Sequence, residues 1–136
     1  MSEKGVIMEL VNSYACYTEE YNAYLKFVEQ LVETDFANCV EAEVTSKLEK
    51  TKETFEALME KVSTLEVEEA QQENLKDLKY LIMDALFFAS DLDNFYKYKE
   101  IGRFKMRVLN ALNKKRRAEL FGNETTASGS CPMNLL

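Results

Sequence analysis

The sequence predicts an all-α fold: an antiparallel bundle of three long helices with a fourth, C-terminal helix. Apolar side chains recur at alternating steps of three and four residues, which is the period of an amphipathic α-helix. Proline and glycine, which punctuate strands and turns, are scarce: the 136 residues include one proline and four glycines, and only Gly102 lies within the body. We expect residues 1–121 to form one helical bundle and residues 122–136 to form a flexible C-terminal tail.

The first helix is predicted over about residues 5–34, because every position of one heptad-spaced stripe is apolar or aromatic. The stripe consists of Ile7, Leu10, Tyr14, Tyr17, Tyr21, Tyr24, Val28 and Leu31. Its four tyrosines are unusual for a helical core, because a buried phenol hydroxyl needs a hydrogen-bond partner. We favour a seam whose hydroxyls reach the edge of the bundle; the alternative is an amphipathic groove for a partner helix.

The second helix follows a short connection at residues 34–38, which is rich in capping and turn residues. Its stripe repeats the same spacing: Val40, Val44, Leu48, Thr51, Phe55, Leu58, Val62 and Leu65. Two helices joined by so short a connection are expected to form an antiparallel hairpin. Residues 66–72 are polar and acidic, and we interpret them as a loop or as the first turn of a third helix.

The third helix is apolar over a broad arc, which predicts a central position with two neighbours. Its stripe consists of Leu75, Leu78, Ile82, Ala85, Ala89, Leu92 and Tyr96, widened by Leu81, Phe88 and Phe95. An unbroken helix from Glu68 to Phe121 would be about 80 Å long at 1.5 Å per residue. Since the surplus would protrude with an exposed apolar stripe, we predict a bend or break between Asp91 and Gly102 and a separate fourth helix. A long protruding helix used for dimerisation is the alternative.

Charge is distributed unevenly along the chain. Residues 1–93 carry 21 acids and 8 bases, whereas residues 94–136 carry 9 bases and 3 acids, so an acidic body precedes a basic segment. Either the basic helix packs beside the acidic ones, or it forms a surface for a partner; we favour the first interpretation.

Several classes of chemistry lack the residues that they need. Histidine is absent, which excludes Ser-His-Asp and Cys-His catalysis and the Glu-x-x-His di-iron signature. The three cysteines, Cys16, Cys39 and Cys131, form no metal-binding or redox pair, and there is no glycine-rich phosphate loop. Acidic pairs such as Glu73 and Asp77 are typical of a solvated face. We therefore expect no enzyme activity, no metal and no cofactor.

The same sequence lacks an apolar run long enough for a membrane span of roughly 20 residues or for a signal peptide. We therefore expect a cytoplasmic protein with reduced thiols and no membrane partner.

The layout of most of the chain resembles the small flagellar type III export chaperones. The resemblance rests on a long first helix, on the connection at Asp35 and Phe36 into a Glu/Lys-rich second helix, on a third helix and on a basic last helix. That helix ends at Leu120, Phe121 and Gly122 before a polar tail; the family usually has tyrosine where this chain has Phe121. The resemblance implies a short bundle that holds filament-cap or hook-associated subunits before export.

The combined expectation is a protein-binding helical bundle of chaperone or adaptor type that holds a partner's amphipathic helix. We predict that the partner contacts the apolar face and the basic cluster of the last helix: Phe104, Val108, Leu112, Lys114, Lys115, Arg116 and Arg117. One alternative is a structural homodimer without a ligand. Another is a nucleic-acid-associated protein, which the net charge of −7 disfavours because phosphate would be repelled.

Overall fold

The computed structural model describes the backbone of residues 3–37 and 39–127 and the side chains of residues 5–37 and 39–120. Within these ranges the chain is helical and contains no strand, which confirms the all-α class. A short 3-10 helix, Glu69–Gln71, precedes the third of four α-helices. The four are α1 (Glu3–Glu33), α2 (Glu41–Ser63), α3 (Gln72–Lys97) and α4 (Ile101–Ala127).

The apolar stripes of α2 and α3 form most of the core. Six of the eight predicted stripe positions of α2, from Val44 to Val62, are buried, whereas Val40 is exposed because it lies at the N-cap. On α3 every predicted stripe position is buried except the half-buried Tyr96. Heptad-spaced apolar residues therefore face inward on both helices, as the sequence predicts.

The core consists of two clusters, and α4 takes part in only one of them. The larger cluster joins all four helices and includes Phe104, Val108 and Ala111 of α4. The smaller cluster contains one residue of α1, two of α2 and three of α3, and none of the described α4 side chains: Leu10, Leu58, Val62, Leu75, Leu78 and Ile82. Among the described α4 side chains, those of residues 113–120 are exposed and lie outside both clusters.

Ion pairs between neighbouring helices show which parts of the helices lie close together. Lys61 near the end of α2 forms an ion pair of 3.3 Å with Glu9 near the start of α1. Lys97 at the end of α3 lies 3.2 Å from Glu49 of α2. The first turns of α4 lie beside the last turns of α3 and the end of α1.

The break between α3 and α4 lies within the predicted interval from Asp91 to Gly102. The residue that breaks the helix is Lys99 and not the predicted Gly102. Lys99 has a φ of 59°, in the left-handed region that usually requires glycine. Its N–H donates to the Tyr96 carbonyl at 3.1 Å, and the Glu100 N–H donates to the Phe95 carbonyl at 2.7 Å. This is the Schellman arrangement that ends helices. Gly102, a predicted breaker, lies instead in the first turn of α4.

The connection between α1 and α2 has the same pattern of backbone hydrogen bonds and also contains left-handed residues. Asp35 has a φ of 52° and Phe36 a φ of 63°, and the Phe36 N–H donates to the Leu31 carbonyl at 2.8 Å. The Phe36 ring packs edge-on against Phe104 at 5.2 Å and stacks on Tyr96 at 5.9 Å between ring centroids. This aromatic trio joins the two connections and anchors the start of α4.

The structure places residues 122–127, part of the predicted flexible tail, in α4, which continues through Gly122 to Ala127. One glycine in a helix interior costs only about 1 kcal/mol relative to alanine, so it need not end the helix. Residues 128–136 lie outside the described residues, so a flexible tail there stays a prediction.

Candidate partner-binding groove

A groove of about 510 Å³ separates α4 from α1 and α3. One side of it, here called the apolar side, consists of Tyr17, Tyr21, Leu81, Phe87 and Phe88. The opposite side, here called the basic side, consists of Arg107, Lys114, Lys115 and Arg117 of α4. The groove therefore combines apolar and cationic surface in one concave feature.

The groove opens because the inward face of α4 loses its large apolar side chains. That face runs in steps of four and three through Phe104, Val108 and Ala111, which are buried. Its next positions are Lys115, Ala118 and Gly122, which offer little apolar surface to bury. Every side chain from residue 113 to residue 120 is accordingly exposed.

The surface left uncovered opposite α4 is apolar. Phe87 is 57% exposed and Leu81 is 38% exposed, although both line the groove. On α1 the exposed Tyr14 ring lies 6.4 Å from the Tyr17 ring and extends the aromatic run toward the N-terminus. Contiguous exposed apolar surface in a concave feature is typical of a binding site.

The four stripe tyrosines of α1, here called the tyrosine ladder, are Tyr14, Tyr17, Tyr21 and Tyr24. They divide between core and groove. Tyr24 is buried and packs edge-on against Phe88 at 5.8 Å. Tyr17 and Tyr21 are half-buried, stack on each other at 5.7 Å and line the groove. The ladder thus contributes one core residue, two groove residues and the exposed Tyr14.

Burial raises the pKa of three of these phenols. It holds the pKa of Tyr17 and Tyr24 well above the ordinary value, with Tyr21 adding to the effect on Tyr17 and Asp93 adding to that on Tyr24. Burial also raises the pKa of Tyr21, although the Arg107 guanidinium opposes the increase. The groove tyrosines present hydroxyl donors beside apolar rings.

The bases of the first two turns of α4 pair with acids of this chain. Arg103 forms an ion pair with Glu100 at 3.4 Å, and Lys105 pairs with Asp35. The Arg107 Nε lies 3.0 Å from the Asp91 carboxylate, and its guanidinium lies 5.2 Å from the centre of the Phe88 ring. In this part of α4 the basic helix packs beside acidic neighbours.

The four consecutive bases further along α4 behave differently. Lys114, Lys115, Arg116 and Arg117 are exposed, and none lies within 4 Å of an acidic side chain in the part of the chain that the structure describes. Three of them line the groove, whereas Arg116 does not. The distal end of the groove therefore carries three exposed cations without an ion pair among the described residues.

The predicted partner-binding face of α4 needs correction. Phe104 and Val108 are fully buried and anchor α4 in the core, whereas Leu112 is half-buried against the same cluster. The sequence pattern could not separate a core stripe from a binding stripe, because both have the same spacing. It also missed Phe87 and Asp84 as groove residues. The relevant signal was the apolar breadth of α3, since Leu81 and Phe88 widen its core stripe.

Within the described residues, no group of three or more Cys, Asp and Glu side chains is close enough to hold a metal ion. None of the helices in residues 3–37 and 39–127 has the length and apolar character required to cross a membrane. No protein-family model, curated protein or solved structure matches the chain, so the resemblance to flagellar type III export chaperones stays a prediction.

Proposed function

We propose that this protein is a non-catalytic, cytoplasmic chaperone or adaptor that holds an amphipathic helix of a partner protein in the groove. The proposed architecture is an antiparallel bundle of three long helices with a fourth, C-terminal helix. The ion pair between Lys61 and Glu9 supports the antiparallel order of the first two helices. The free thiols of Cys16 and Cys39 support a reducing compartment.

The observation that carries the proposal is the exposed apolar side of the groove. An amphipathic partner helix that binds in an apolar groove inserts side chains spaced at i, i+3, i+4 and i+7. The groove-lining part of α4, from Arg107 to Ala118, is about 16 Å long at 1.5 Å per residue. That length matches about three turns of a helix, enough for two or three apolar anchors.

A paired-variant experiment tests the proposal. In Leu81→Gln/Phe87→Gln the apolar side of the groove becomes polar, whereas Met8→Gln/Tyr98→Gln changes two exposed side chains that do not line the groove. The probe is a synthetic helical peptide with leucine and phenylalanine on one face and glutamine on both flanks. We expect the groove variant to bind it about 30-fold more weakly, corresponding to about 2 kcal/mol for two half-exposed anchors.

The control pair should bind this peptide as the wild type does. Equal binding by both double variants, or no binding by the wild type, would refute the groove as a helix-binding site. Circular dichroism of all three proteins excludes unfolding as the cause of a difference.

A structural homodimer is the second candidate, because the outer face of α4 carries exposed apolar side chains. Met106, Leu109 and Leu120 lie on this face and do not line the groove. A symmetric pairing of two such faces would bury them. Sedimentation equilibrium distinguishes the two states: a species of 15.7 kDa at high concentration removes the homodimer as a candidate.

A further inference from the structure

We propose that the helix held in the groove is acidic: it carries Asp or Glu along the flank that faces α4. The proposal rests on the helix-binding function proposed above and specifies the chemistry of the partner. The juxtaposition that supports it is an apolar side on α1 and α3 with a row of unpaired cations on α4.

The first step is the change of pairing along α4. Arg103, Lys105 and Arg107 are each matched with an acid of this chain. Beyond Ala111 the cations have no such match among the described side chains, although the whole chain carries a net charge of −7. Three adjacent cations without an ion pair among the described side chains give this part of the groove a local positive potential that favours an anionic partner group.

The second step is the position of these cations relative to the apolar side. Lys114, Lys115 and Arg117 line the same groove as Leu81 and Phe87. A helix that lays its apolar face on those two side chains brings one of its flanks against α4. Carboxylates on that flank would form charge-assisted hydrogen bonds with the lysine and arginine side chains.

The third step concerns Asp84 of α3. It lines the groove and is exposed, and no base lies within ion-pair distance of it among the described residues. Asp84 is three residues from both Leu81 and Phe87, so it lies between them on the surface of the helix. Because a partner acid next to Asp84 would add like-charge repulsion, the groove favours partner acids only beside the cations of α4.

A peptide fits these features better than a nucleic acid does. A polyphosphate would use the cations but would gain nothing from Leu81 and would be repelled by Asp84 and by the acidic body. An amphipathic acidic helix uses both sides of the groove at once.

The test uses three synthetic helical peptides with the same leucine and phenylalanine face. They carry glutamate, glutamine or lysine on one flank and glutamine on the other, and a single-stranded oligonucleotide is the fourth probe. Binding to the full-length wild type is measured by fluorescence anisotropy at low and high salt. We expect the glutamate peptide to bind about tenfold more tightly than the glutamine peptide at low salt, with the difference shrinking as salt screens the charges.

Two charge-matched variants assign the effect to the groove. Lys114→Glu/Arg117→Glu reverses two cations that line it, whereas Lys50→Glu/Arg116→Glu reverses one exposed cation of α2 and the neighbouring cation that does not line it. Both variants change the net charge equally. The first should invert the preference, so that the lysine peptide binds most tightly, and the second should keep the wild-type order.

Each other outcome overturns a defined part of the account. Equal affinity for the glutamate and glutamine peptides would refute the acidic flank but leave helix binding in place. The absence of binding to all three peptides would refute helix binding and the acidic flank together. Tighter binding of the oligonucleotide, abolished in Lys114→Glu/Arg117→Glu, would identify the cations as a nucleic-acid site instead.

Discussion

Replacement of Phe104 by alanine is expected to destabilise the protein strongly. The Phe104 side chain is fully buried, and its ring packs against Phe36 at 5.2 Å and against Tyr96 at 6.2 Å. These three rings connect α4 to the ends of α1 and α3. Alanine at this position would leave a cavity in the larger core cluster, which contains the buried side chains of α4 among the described residues.

The expected cost is about 3–5 kcal/mol, the usual range for truncation of a buried phenylalanine to alanine. Domains of this size are stable by only about 5–15 kcal/mol, so this loss is a large part of the total. In contrast, Leu109 lies on the same helix but is 46% exposed, so Leu109→Ala should cost about 1 kcal/mol or less.

Urea unfolding followed by circular dichroism measures both values. Because the expected loss leaves Phe104→Ala little stability to measure, Phe104→Leu provides a milder change with an expected cost of about 1–2 kcal/mol. If Phe104→Ala and Leu109→Ala cost the same, Phe104 does not anchor α4, and the assignment of its side chain to the core is wrong.

Three further predictions concern helix ends and the tyrosines. Lys99→Gly should stabilise the protein by about 0.5–1 kcal/mol in urea unfolding, because glycine adopts the left-handed conformation of Lys99 without a steric penalty; a loss of stability would contradict this. Gly102→Ala should add about 0.5–1 kcal/mol, since a methyl group there meets no atom within 4 Å and alanine favours a helix; an unchanged melting temperature would argue against a well-formed first turn of α4. Because burial raises the pKa of Tyr17 and Tyr24, unfolding makes these phenols easier to ionise, so stability should be fully present below about pH 10 and fall as pH rises above it. Tyr24→Phe should reduce that loss in an alkaline unfolding titration, and an identical pH dependence in the variant would contradict the burial of its phenol.

The helical elements follow from residue patterns that are local in sequence. The stripe from Val44 to Val62 needs only the spacing of apolar residues, and α2 has the predicted inward face. The end of α3 was harder to predict from the sequence, because Lys99 adopts a left-handed backbone conformation that lysine does not favour. Its position depends on the packing of Phe36 and Tyr96 around the two connections.

The groove could be predicted only in parts. The basic cluster and the tyrosine ladder were visible in the sequence, but their proximity depends on how α4 lies against α1 and α3. Phe104 was assigned to the wrong role because a stripe that packs inside the bundle has the same period as one that binds a partner. The change from Ala111 to Lys115 on that stripe marks where packing ends, and its meaning becomes clear once the neighbouring helices are placed.

Photo-crosslinking from position 87 in the native host tests the central claim most directly. A photoreactive phenylalanine analogue replaces Phe87 in one sample and Tyr98, an exposed aromatic outside the groove, in another. The account predicts adducts from position 87 that map to an amphipathic helix of a partner protein, with few or none from position 98. Equal adduct yields from both positions, or no protein adduct from position 87, would contradict it.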